Sequence, residues 1–310
     1  DVKTLLLNFR DLFRFIYGTL EAWRLLGKIR PDSILLKGGF VCVPVGLAAR
    51  FRRIPYLTHD SDAVPGLANR LTSKYATYNT TALPAELYPY DQTKTIQVGI
   101  PIRKEFIVTT ENIRNSAKLS LGIDTEARVL LSVGGGLGAQ RLNIALVNAS
   151  RLLLTNNTEL IIIHLTGKKL FDETEHLYSS VLSNEMLKRV TLIDFTTDIY
   201  KYSEAADIVL TRAGATNIAE FATQGKLCIV VPNPMLTGGQ QLHNAKVLQD
   251  AAAAIILYEE NLGELGAVID SAIHLTDAEK NNLGTKLNAL AIPDSADKLA
   301  ILLLEIAEIS

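Results

Sequence analysis

Short runs of β-forming residues alternate with helical patterns along most of the chain, and this alternation limits the fold more than any other feature. The second half carries six such runs, each followed by a helical pattern: RVLLSV, ELIIIHLT, VTLI, DIVLT, LCIVVP and AAIIL. A parallel sheet covered by helices requires this alternation. The pattern therefore predicts the α/β class, with a complete doubly wound, Rossmann-like domain in this half.

The first half of the chain shows the same alternation with fewer strands. SILLK, IPYLT and TIQV are interpreted as strands, and a helical segment lies near residues 66–74. A polar passage over about residues 108–127 is interpreted as a linker. We therefore expect two domains, residues 1–108 and 109–310, with the last helix packing back on the first domain. The first domain looks incomplete, because few strands precede the linker and the chain opens directly into a helix.

Composition sets the class of protein. With 310 residues and 48% of them apolar, the chain can bury a large core. The longest uncharged apolar stretch, Gly38 to Ala49, is too short to span a bilayer, and nothing resembles a cleavable signal, so we expect a soluble cytoplasmic protein. Cys42 and Cys228 each sit in a β-rich apolar run without a partner at motif spacing. Both are interpreted as buried reduced thiols, and no disulfide framework or structural zinc is implied.

Charge is distributed unevenly along the chain. The net charge is -2, but residues 1–53 carry 10 Lys and Arg against 4 Asp and Glu, which is +6 and leaves -8 for the rest. This excess falls around an aromatic-rich stripe at helical spacing: Phe9, Leu12, Phe13, Ile16, Leu20 and Trp23. The basic residues beside it are Arg10, Arg14, Arg24 and Lys28. Such a helix either packs on its own domain or docks on an anionic membrane surface, and both readings stay open. We expect no nucleic-acid partner.

In a doubly wound domain the ligand lies at the carboxyl ends of the strands, and three loops there attract attention. The first follows RVLLSV and contains Gly134, Gly135, Gly136 and Gly138, with a helix starting near Ala139. Glycines let the backbone approach a ligand, and the helix N-terminus aims amides and a positive dipole at it, so a phosphate fits. The alternative is that the glycines only allow tight packing between strand and helix.

The glycine loop also fits the dinucleotide fingerprint GxGxxG/A, which is weak evidence by itself. A nicotinamide enzyme would place an acidic residue for the ribose at the end of the next strand, and IIIHLTGK offers none. A Walker A loop is excluded because no GK[ST] closes the glycine run.

The second loop, TRAGATNIAE, follows DIVLT. Gly214 can turn the chain sharply, and Ala215, Thr216 and Asn217 then form a second helix N-terminus with exposed amides. Glu220 falls one turn further along, where it could accept hydrogen bonds from the vicinal hydroxyls of a ribose. An ordinary first-turn glutamate that stabilises the helix dipole would look the same. Two anion-binding helix termini in one domain suggest a diphosphate with a sugar on either side.

The third loop, PNPMLTGGQQLHNA, spans residues 232–245. Gln240 and Gln241 begin the next helix with amide groups that can donate to and accept from sugar hydroxyls, or they are ordinary solvated glutamines. Among the histidines, His164 is interpreted as structural, since it lies inside an apolar strand. His59 is a weak candidate for a general base, and the role of His243 stays open.

Together the three loops, in this order and spacing, resemble the nucleotide-sugar domain of the GT-B glycosyltransferases of family 28. That family shows GGSxGAxxxN, RxGAxTxxE and QQxxNA where this chain has GGGLGAQRLN, RAGATNIAE and QQLHNA. The N-terminal half agrees, because residues 37–70 look like the family's GGYxSxPxxxAA followed by HExNxxxGxxN, and VGIPIRKEF looks like GNPVRxE. The fold implied is GT-B, two Rossmann-like doubly wound domains facing a cleft.

The resemblance also implies roles for particular residues. Glu220 would hold the ribose of UDP, and the backbone near Phe195 and Thr196 would read the uracil edge. Arg103 and the loop from Gly134 to Gly138 would contact the diphosphate. The residues expected to contact N-acetylglucosamine are Ala215, Thr216, Gln240 and Gln241. The complete expected donor site is Asp62, Arg103, Gly134, Gly135, Gly136, Gly138, Phe195, Thr196, Gly214, Ala215, Thr216, Asn217, Glu220, Gln240, Gln241 and Asn244.

The activity implied is an inverting transfer of N-acetylglucosamine from UDP-N-acetylglucosamine to a polyprenyl-diphosphate-linked muramoyl-peptide acceptor, lipid I to lipid II, in peptidoglycan synthesis. Amides and helix dipoles stabilise the departing UDP, so no cofactor and no metal is expected. Asp60-Ser61-Asp62 spells the DxD metal motif of another glycosyltransferase fold, which we interpret as coincidence. The family's membrane-docking surface would correspond to the helix from Phe9 to Trp23, at the cytoplasmic face of the cell membrane.

The chain also departs from the family pattern. It lacks the N-terminal loop GGTGGH, whose histidine is a proposed general base, so the N-terminal domain looks truncated and the chain as given is expected to lack that base. Within the site, Asp62, Gly136, Asn217 and Gly239 replace the family's usual Asn, Ser, Thr and Arg. Two alternatives follow: a related transferase with another UDP-sugar or a glycolipid acceptor, and a UDP-sugar-binding protein without turnover. A nicotinamide dehydrogenase is the weakest alternative.

Overall fold

The computed structural model describes residues 2–136, 138–235 and 237–308, without the side chains of residues 2–9 and 237. The chain divides into two compact units. The N-terminal unit comprises Asp1–Pro101 with Ile292–Ser310, and the C-terminal unit comprises Ile102–Ala291.

The expected boundary after residue 108 therefore lies inside the C-terminal unit. Two contacts hold this stretch there: the ring of Phe106 packs edge-on against Tyr200 at 6.3 Å, and the Thr109 amide donates to the Gln224 carbonyl at 3.1 Å. The last helix belongs to the N-terminal unit.

The N-terminal unit is a parallel α/β layer structure. Its elements are α1 (Val2–Ile29), β1 (Ile34–Leu36), α2 (Cys42–Phe51), β2 (Tyr56–Asp60), α3 (Leu67–Thr72), β3 (Tyr78–Thr81), β4 (Thr95–Gln97) and the C-terminal helix (Ser295–Glu308). The strands pair in parallel in the order β1-β2-β3-β4. Ala22 and Leu26 of α1 pack against Leu36, Ala48 and Tyr56 in its core.

Two elements of this unit were not predicted. Strand β3 has the polar sequence YNTT, yet it is mostly buried between β2 and β4, where the Thr80 hydroxyl donates to the Thr58 carbonyl at 2.7 Å. Helix α2 occupies the apolar run after Gly38 and Gly39, whose φ values of 89° and 83° turn the chain out of β1. The prediction that Cys42 is a buried thiol in a β-run was wrong: it is half-buried at the start of α2.

The C-terminal unit holds a larger parallel sheet. Its strands are β5 (Arg128–Val133), β6 (Leu160–Leu165), β7 (Val190–Ile193), β8 (Ile208–Thr211), β9 (Leu227–Val230) and β10 (Ile255–Ile256). They pair in parallel in the order β10-β9-β8-β5-β6-β7. Its helices are α4 (Glu111–Ser120), α5 (Gln140–Asn156), α6 (Phe171–Val181), α7 (Asn184–Leu187), α8 (Ile199–Ala205), α9 (Ala215–Gln224), α10 (Gln240–Asp250), α11 (Leu265–Ile273) and α12 (Asp277–Asn288). The predicted α/β fold class is confirmed.

Helices cover both faces of this sheet. Leu130 of β5 points toward α5, α6 and α11, whereas its neighbours Val129 and Leu131 point toward α9, α10 and α12. Strands buried on both faces explain the continuous apolar runs of the sequence. Cys228, on β9, is buried as expected. His164 is also structural, because its ring nitrogens lie 3.1 Å from the Tyr178 hydroxyl and 3.1 Å from Asn143 Oδ1.

The passage predicted as a linker contains helix α4. Thr110 caps the helix by accepting from the Ile113 amide at 3.4 Å. Two of its basic residues reach the Asp207 carboxylate, Arg114 at 3.1 Å and Lys118 at 2.9 Å. Asp207 lies far along the chain, so these ion pairs hold the polar helix α4 against the rest of the C-terminal unit.

Candidate functional site

The order of the sheet brings the three loops together. Strands β9, β8 and β5 are neighbours and run parallel, so the loops that leave their carboxyl ends meet at one edge of the C-terminal unit. Two contacts join the second and third loops: the Val231 amide donates to the Thr211 carbonyl at 2.8 Å, and Asn244 Nδ2 donates to the Ala213 carbonyl at 3.0 Å.

The glycine loop turns back on itself between β5 and α5. Gly135 and Gly138 have φ values of 87° and 78°, and the Gly138 amide donates to the Gly135 carbonyl at 2.9 Å. A Cβ at Gly138 would collide with the Thr166 carbonyl oxygen, whereas one at Gly136 would meet open space. At the start of α5, the capping residue Ala139 makes no side-chain cap. The loop thus leaves the first amides of α5 available to an anion.

The second loop presents another helix N-terminus without a side-chain cap. Gly214 is the capping residue of α9, with φ -71° and ψ 131°. Asn217 Nδ2 donates backward to Thr211 Oγ1 at 3.2 Å, so this side chain braces the end of β8. Ala215 is half-buried and Thr216 is exposed. The dipole of α9 and its first amides therefore also favour a negatively charged group.

Glu220 lies further along α9 and is half-buried. Within the described part of the chain, no group donates a hydrogen bond to its carboxylate. Burial raises the pKa of Glu220 to about 7, against the opposing effect of the positive charge on Arg103. A carboxylate without a donor, on a helix whose N-terminus has no side-chain cap, is suited to accept from ligand hydroxyls.

The structure places Arg103 beside the segment that follows β7. Its guanidinium donates to the Thr197 carbonyl, pairs with Glu105 at 2.8 Å and lies 5.3 Å from the centre of the Tyr200 ring. The hydrogen bond to Glu105 raises the pKa of Arg103. The resemblance predicts Arg103 at the diphosphate, and this stays a prediction. Its own contacts lie on the segment that follows Phe195 and Thr196, and its positive charge acts on Glu220.

Phe195 and Thr196 form a short exposed turn. The side chain of Phe195 lies under the ammonium of Lys168 at 4.8 Å, and its amide donates to Asp194 Oδ1 at 2.6 Å. Thr196 Oγ1 accepts from the Asp198 amide at 2.9 Å. The segment therefore offers the exposed ring of Phe195, while Asp194 and Thr196 hold its backbone amides by local hydrogen bonds.

The third loop is shaped by Gly238 and Gly239, with φ values of 75° and 63°. Gln241 Oε1 accepts from the Asn233 amide at 2.9 Å, which leaves the amide nitrogen of Gln241 as its donor toward a ligand. Gln240 opens α10 and is half-buried. Leu137 of the first loop and Leu236 of the third lie outside the described residues.

Two expected site residues lie in the N-terminal unit, at the carboxyl end of β2. The Asp62 carbonyl accepts from the Tyr88 hydroxyl at 2.9 Å. His59 is only 1% exposed, its Nδ1 lies 3.1 Å from Thr80 Oγ1, and burial lowers its pKa to about 4. Such a histidine is neutral and has no access to solvent.

Sequence reasoning considered the neighbouring Asp60 only as part of a DxD motif and did not predict its burial. Its buried carboxylate accepts from the Tyr90 hydroxyl at 2.7 Å and from Asn69 Nδ2 at 2.8 Å, and burial raises its pKa. The sequence feature that could have indicated this buried carboxylate is the polar pair His59-Asp60 at the end of the apolar strand β2. Across the described residues, no three His, Cys, Asp or Glu side chains are grouped to hold a metal ion. In the same residues, no helix combines the length and apolar character needed to cross a membrane.

Comparison with known proteins gives the family. The model of the glycosyltransferase family 28 C-terminal domain matches residues 129–298, and that of the family's N-terminal domain matches residues 3–80. The UDP-N-acetylglucosamine--N-acetylmuramyl-(pentapeptide) pyrophosphoryl-undecaprenol N-acetylglucosamine transferase of Halothermothrix orenii is 34% identical over 82% of this chain and 68% of its own length. A Bacillus thuringiensis transferase of the same name, numbered 2, is 30% identical over 94% of this chain and 78% of its own.

A solved structure agrees. The crystal structure of Acinetobacter baumannii MurG superposes with a TM-score of 0.75 and 26% identity, covering 94% of this chain and 79% of that one. Two parallel α/β units with this topology define a glycosyltransferase of the GT-B fold. The chain belongs to glycosyltransferase family 28, and the resemblance found in the sequence is confirmed.

Proposed function

We propose that this protein transfers N-acetylglucosamine from UDP-N-acetylglucosamine to a polyprenyl-diphosphate-linked muramoyl-peptide acceptor. The observation that carries the proposal is the pairing of two helix N-termini without side-chain caps, α5 and α9, with the carboxylate of Glu220 at one sheet edge. The relatives at 30% and 34% identity carry this activity in their names.

Each part of the donor has a matching part of the C-terminal unit. The diphosphate fits the amides of the glycine loop and the first turn of α9, because both helix dipoles favour negative charge there. The vicinal ribose hydroxyls fit Glu220, and the uracil fits the turn at Phe195 and Thr196. Gln240 and Gln241 present amides toward the sugar. Arg103 would hold the uracil turn and Glu220 in place.

The chemistry follows from this placement. The acceptor hydroxyl oxygen attacks the anomeric carbon from the face opposite UDP and releases its proton to solvent, so the configuration inverts. The bond from that carbon to the diphosphate oxygen breaks, and its electron pair leaves with UDP. Fixed amides and helix dipoles stabilise the charge that develops on the departing diphosphate, so we propose that no metal ion or other cofactor is needed. His59, buried and neutral, is proposed to have a structural role.

We further propose that α1 docks on the anionic cytoplasmic face of the membrane. The side chains of Phe13, Leu20 and Trp23 are 72%, 57% and 44% exposed, so this stripe is not covered by its own unit. The side chain of Phe9 lies outside the described residues. Arg14 and Arg24 flank the stripe and are exposed. An exposed apolar and basic helix face is the composition of interfacial helices.

Transfer is tested by incubating the protein with radiolabelled UDP-N-acetylglucosamine and a synthetic lipid acceptor with a shortened polyprenyl chain. We expect label in the lipid product and equimolar UDP. Binding of the donor without any labelled lipid would instead favour a UDP-sugar-binding protein. Preferential turnover of another UDP-sugar would favour the related transferase.

A further inference from the structure

A buried ion pair lies beneath the three ligand loops. Arg212 follows the last residue of β8, and Glu259 follows β10. They are 6% and 5% exposed, and Arg212 Nη2 lies 2.9 Å from Glu259 Oε1. The pair spans the width of strand β9, because β10, β9 and β8 are consecutive in the sheet.

The pair also contacts the other two loops. Arg212 Nη1 donates to the carbonyl of Val231, where the third loop leaves β9, at 3.3 Å. Glu259 Oε1 lies 3.7 Å from Nε of Arg141, in the first turn of α5 directly after the glycine loop. One carboxylate thus joins the start of α5 to the ends of β8 and β9.

The pair is imperfectly satisfied for its burial. Arg212 Nε and Glu259 Oε2 are both buried, and neither has a hydrogen-bond partner among the described residues. Removing two charges from water is costly unless every donor and acceptor is satisfied, so a half-made buried pair contributes little net stability. Its placement at the ligand edge of the sheet therefore suggests a function in the site.

We propose that Glu259 is a positioning residue for the donor. Through Arg212 it fixes the turn into α9, and through Arg141 it fixes the first turn of α5, so that both helix N-termini keep the spacing that a diphosphate bridges. This inference rests on the proposed function, because it assumes that UDP-N-acetylglucosamine binds at these termini. Misplacing such groups by about 1 Å can cost on the order of 100-fold in rate even when the change lies away from the reacting atoms.

The test compares Glu259→Gln with Asp207→Asn. Asp207 precedes β8 at the opposite edge of the sheet and also neutralises a buried cation, Lys118, at 2.9 Å. Both variants should lower the melting temperature. Only Glu259→Gln should weaken UDP-N-acetylglucosamine binding, by about tenfold, since only it loosens the ligand loops. Unchanged affinity in Glu259→Gln, or equal weakening in both variants, would overturn the inference.

A second pair of variants covers the case in which Glu259→Gln does not fold. Arg141→Gln changes a side chain that is 65% exposed and keeps the buried pair. We expect it to weaken donor binding about threefold, on the order of one lost exposed ion pair, whereas Arg151→Gln, on the exposed face of the same helix, leaves it unchanged. Equal affinities would refute the coupling through α5. If the wild type binds no UDP compound, the proposed function itself is wrong. If the wild type binds the donor and the variants bind it equally well, only the positioning role of Glu259 is wrong.

Discussion

In the C-terminal unit, the positive charge of Arg103 and the burial of Glu220 have opposite effects on the pKa of the Glu220 carboxylate. The positive charge of Arg103 lowers the pKa of Glu220, but burial outweighs it and raises that pKa to about 7. The carboxylate proposed to hold the ribose is therefore close to half protonated at neutral pH when no ligand is present. Ligand binding and protonation of this group are consequently linked.

Binding of UDP-N-acetylglucosamine should depend on pH through Glu220, because its diphosphate, unlike the terminal phosphate of UDP, does not titrate near neutral pH. A carboxylate that accepts from two vicinal hydroxyls must be ionised, so the affinity for UDP-N-acetylglucosamine should rise as the pH increases from 6 to 8. The change should be about tenfold, because below a pKa near 7 each pH unit reduces the ionised fraction nearly tenfold. Calorimetric titration at several pH values measures this. Glu220→Gln should bind weakly and show no such slope, and a wild-type affinity that is flat over this range would contradict the assignment.

The same residue should affect stability in the opposite sense. The folded-state pKa of Glu220 is raised above the unfolded value, so the folded state binds more protons between pH 4.5 and 7 and loses stability as the pH rises through that window. Glu220→Gln should therefore raise the melting temperature of the ligand-free protein at pH 8 and change it little at pH 4.5. A lower melting temperature at pH 8 would show that the carboxylate is stabilised in the fold.

The glycine loop offers a matched pair of substitutions. Gly138→Ala forces a residue with a side chain into φ 78° against the Thr166 carbonyl, whereas Gly136→Ala meets open space. We expect Gly138→Ala to lose about 1–3 kcal/mol of unfolding free energy and to bind UDP weakly. Gly136→Ala should stay within about 0.5 kcal/mol of the wild type. Urea denaturation measures both, and equal losses would mean that the loop conformation differs.

Acid should destabilise the C-terminal unit through His164. Burial lowers the pKa of His164 to about 3, so the unfolded chain binds the extra proton first and stability falls as the pH drops below 6.5. At pH 5 this costs about 2 kcal/mol. The free energy of unfolding of His164→Gln should be lower than that of the wild type at pH 7 but should depend less on pH. His243→Gln changes an exposed histidine and should keep the wild-type dependence of unfolding free energy on pH. Parallel pH profiles for all three proteins would refute the prediction.

Membrane docking should depend on the apolar stripe of α1. Phe13→Glu combined with Leu20→Glu should reduce binding to phosphatidylglycerol vesicles at least tenfold, because each buried apolar side chain contributes about 1.5–3 kcal/mol. The exposed Leu304, on the C-terminal helix, provides the control substitution Leu304→Glu, which should bind as the wild type does. Cosedimentation measures the bound fraction. Equal binding by both variants would locate the docking surface elsewhere.

The sequence predicted the C-terminal unit well because its strands are buried on both faces and are therefore continuously apolar. The prediction of secondary structure failed where buried segments contain many polar residues. Strand β3 is polar and is held by threonine hydrogen bonds, and α2 looks like a strand until Gly38 and Gly39 turn the chain. The segment of helix α4 is predicted as a linker because it is polar. Its basic residues pair with Asp207, which lies too far along the chain for the sequence pattern to show the contact.

The site shows the same limit. The turn of the glycine loop could be predicted, because Gly135 and Gly138 adopt positive φ values that favour glycine. Gly214 has an ordinary extended conformation, so its backbone does not require glycine. The pairing of Arg212 with Glu259 could not be predicted, since 47 positions separate them and only the order of β8, β9 and β10 brings them together. The contact of Arg103 with Thr197 could not be predicted either, because 94 positions separate the two residues and only the tertiary fold brings them together.

The most direct test of donor binding in the C-terminal unit is calorimetric titration with UDP-N-acetylglucosamine, UDP, UDP-glucose and NADH. The wild type should bind UDP-N-acetylglucosamine most tightly. Glu220→Ala should weaken this binding about 100-fold, the order expected for losing two hydrogen bonds to a charged group. Glu204→Ala, which removes another half-buried glutamate outside the site, should leave it unchanged. Absence of binding by any UDP compound, or equal binding by the two variants, would contradict the account.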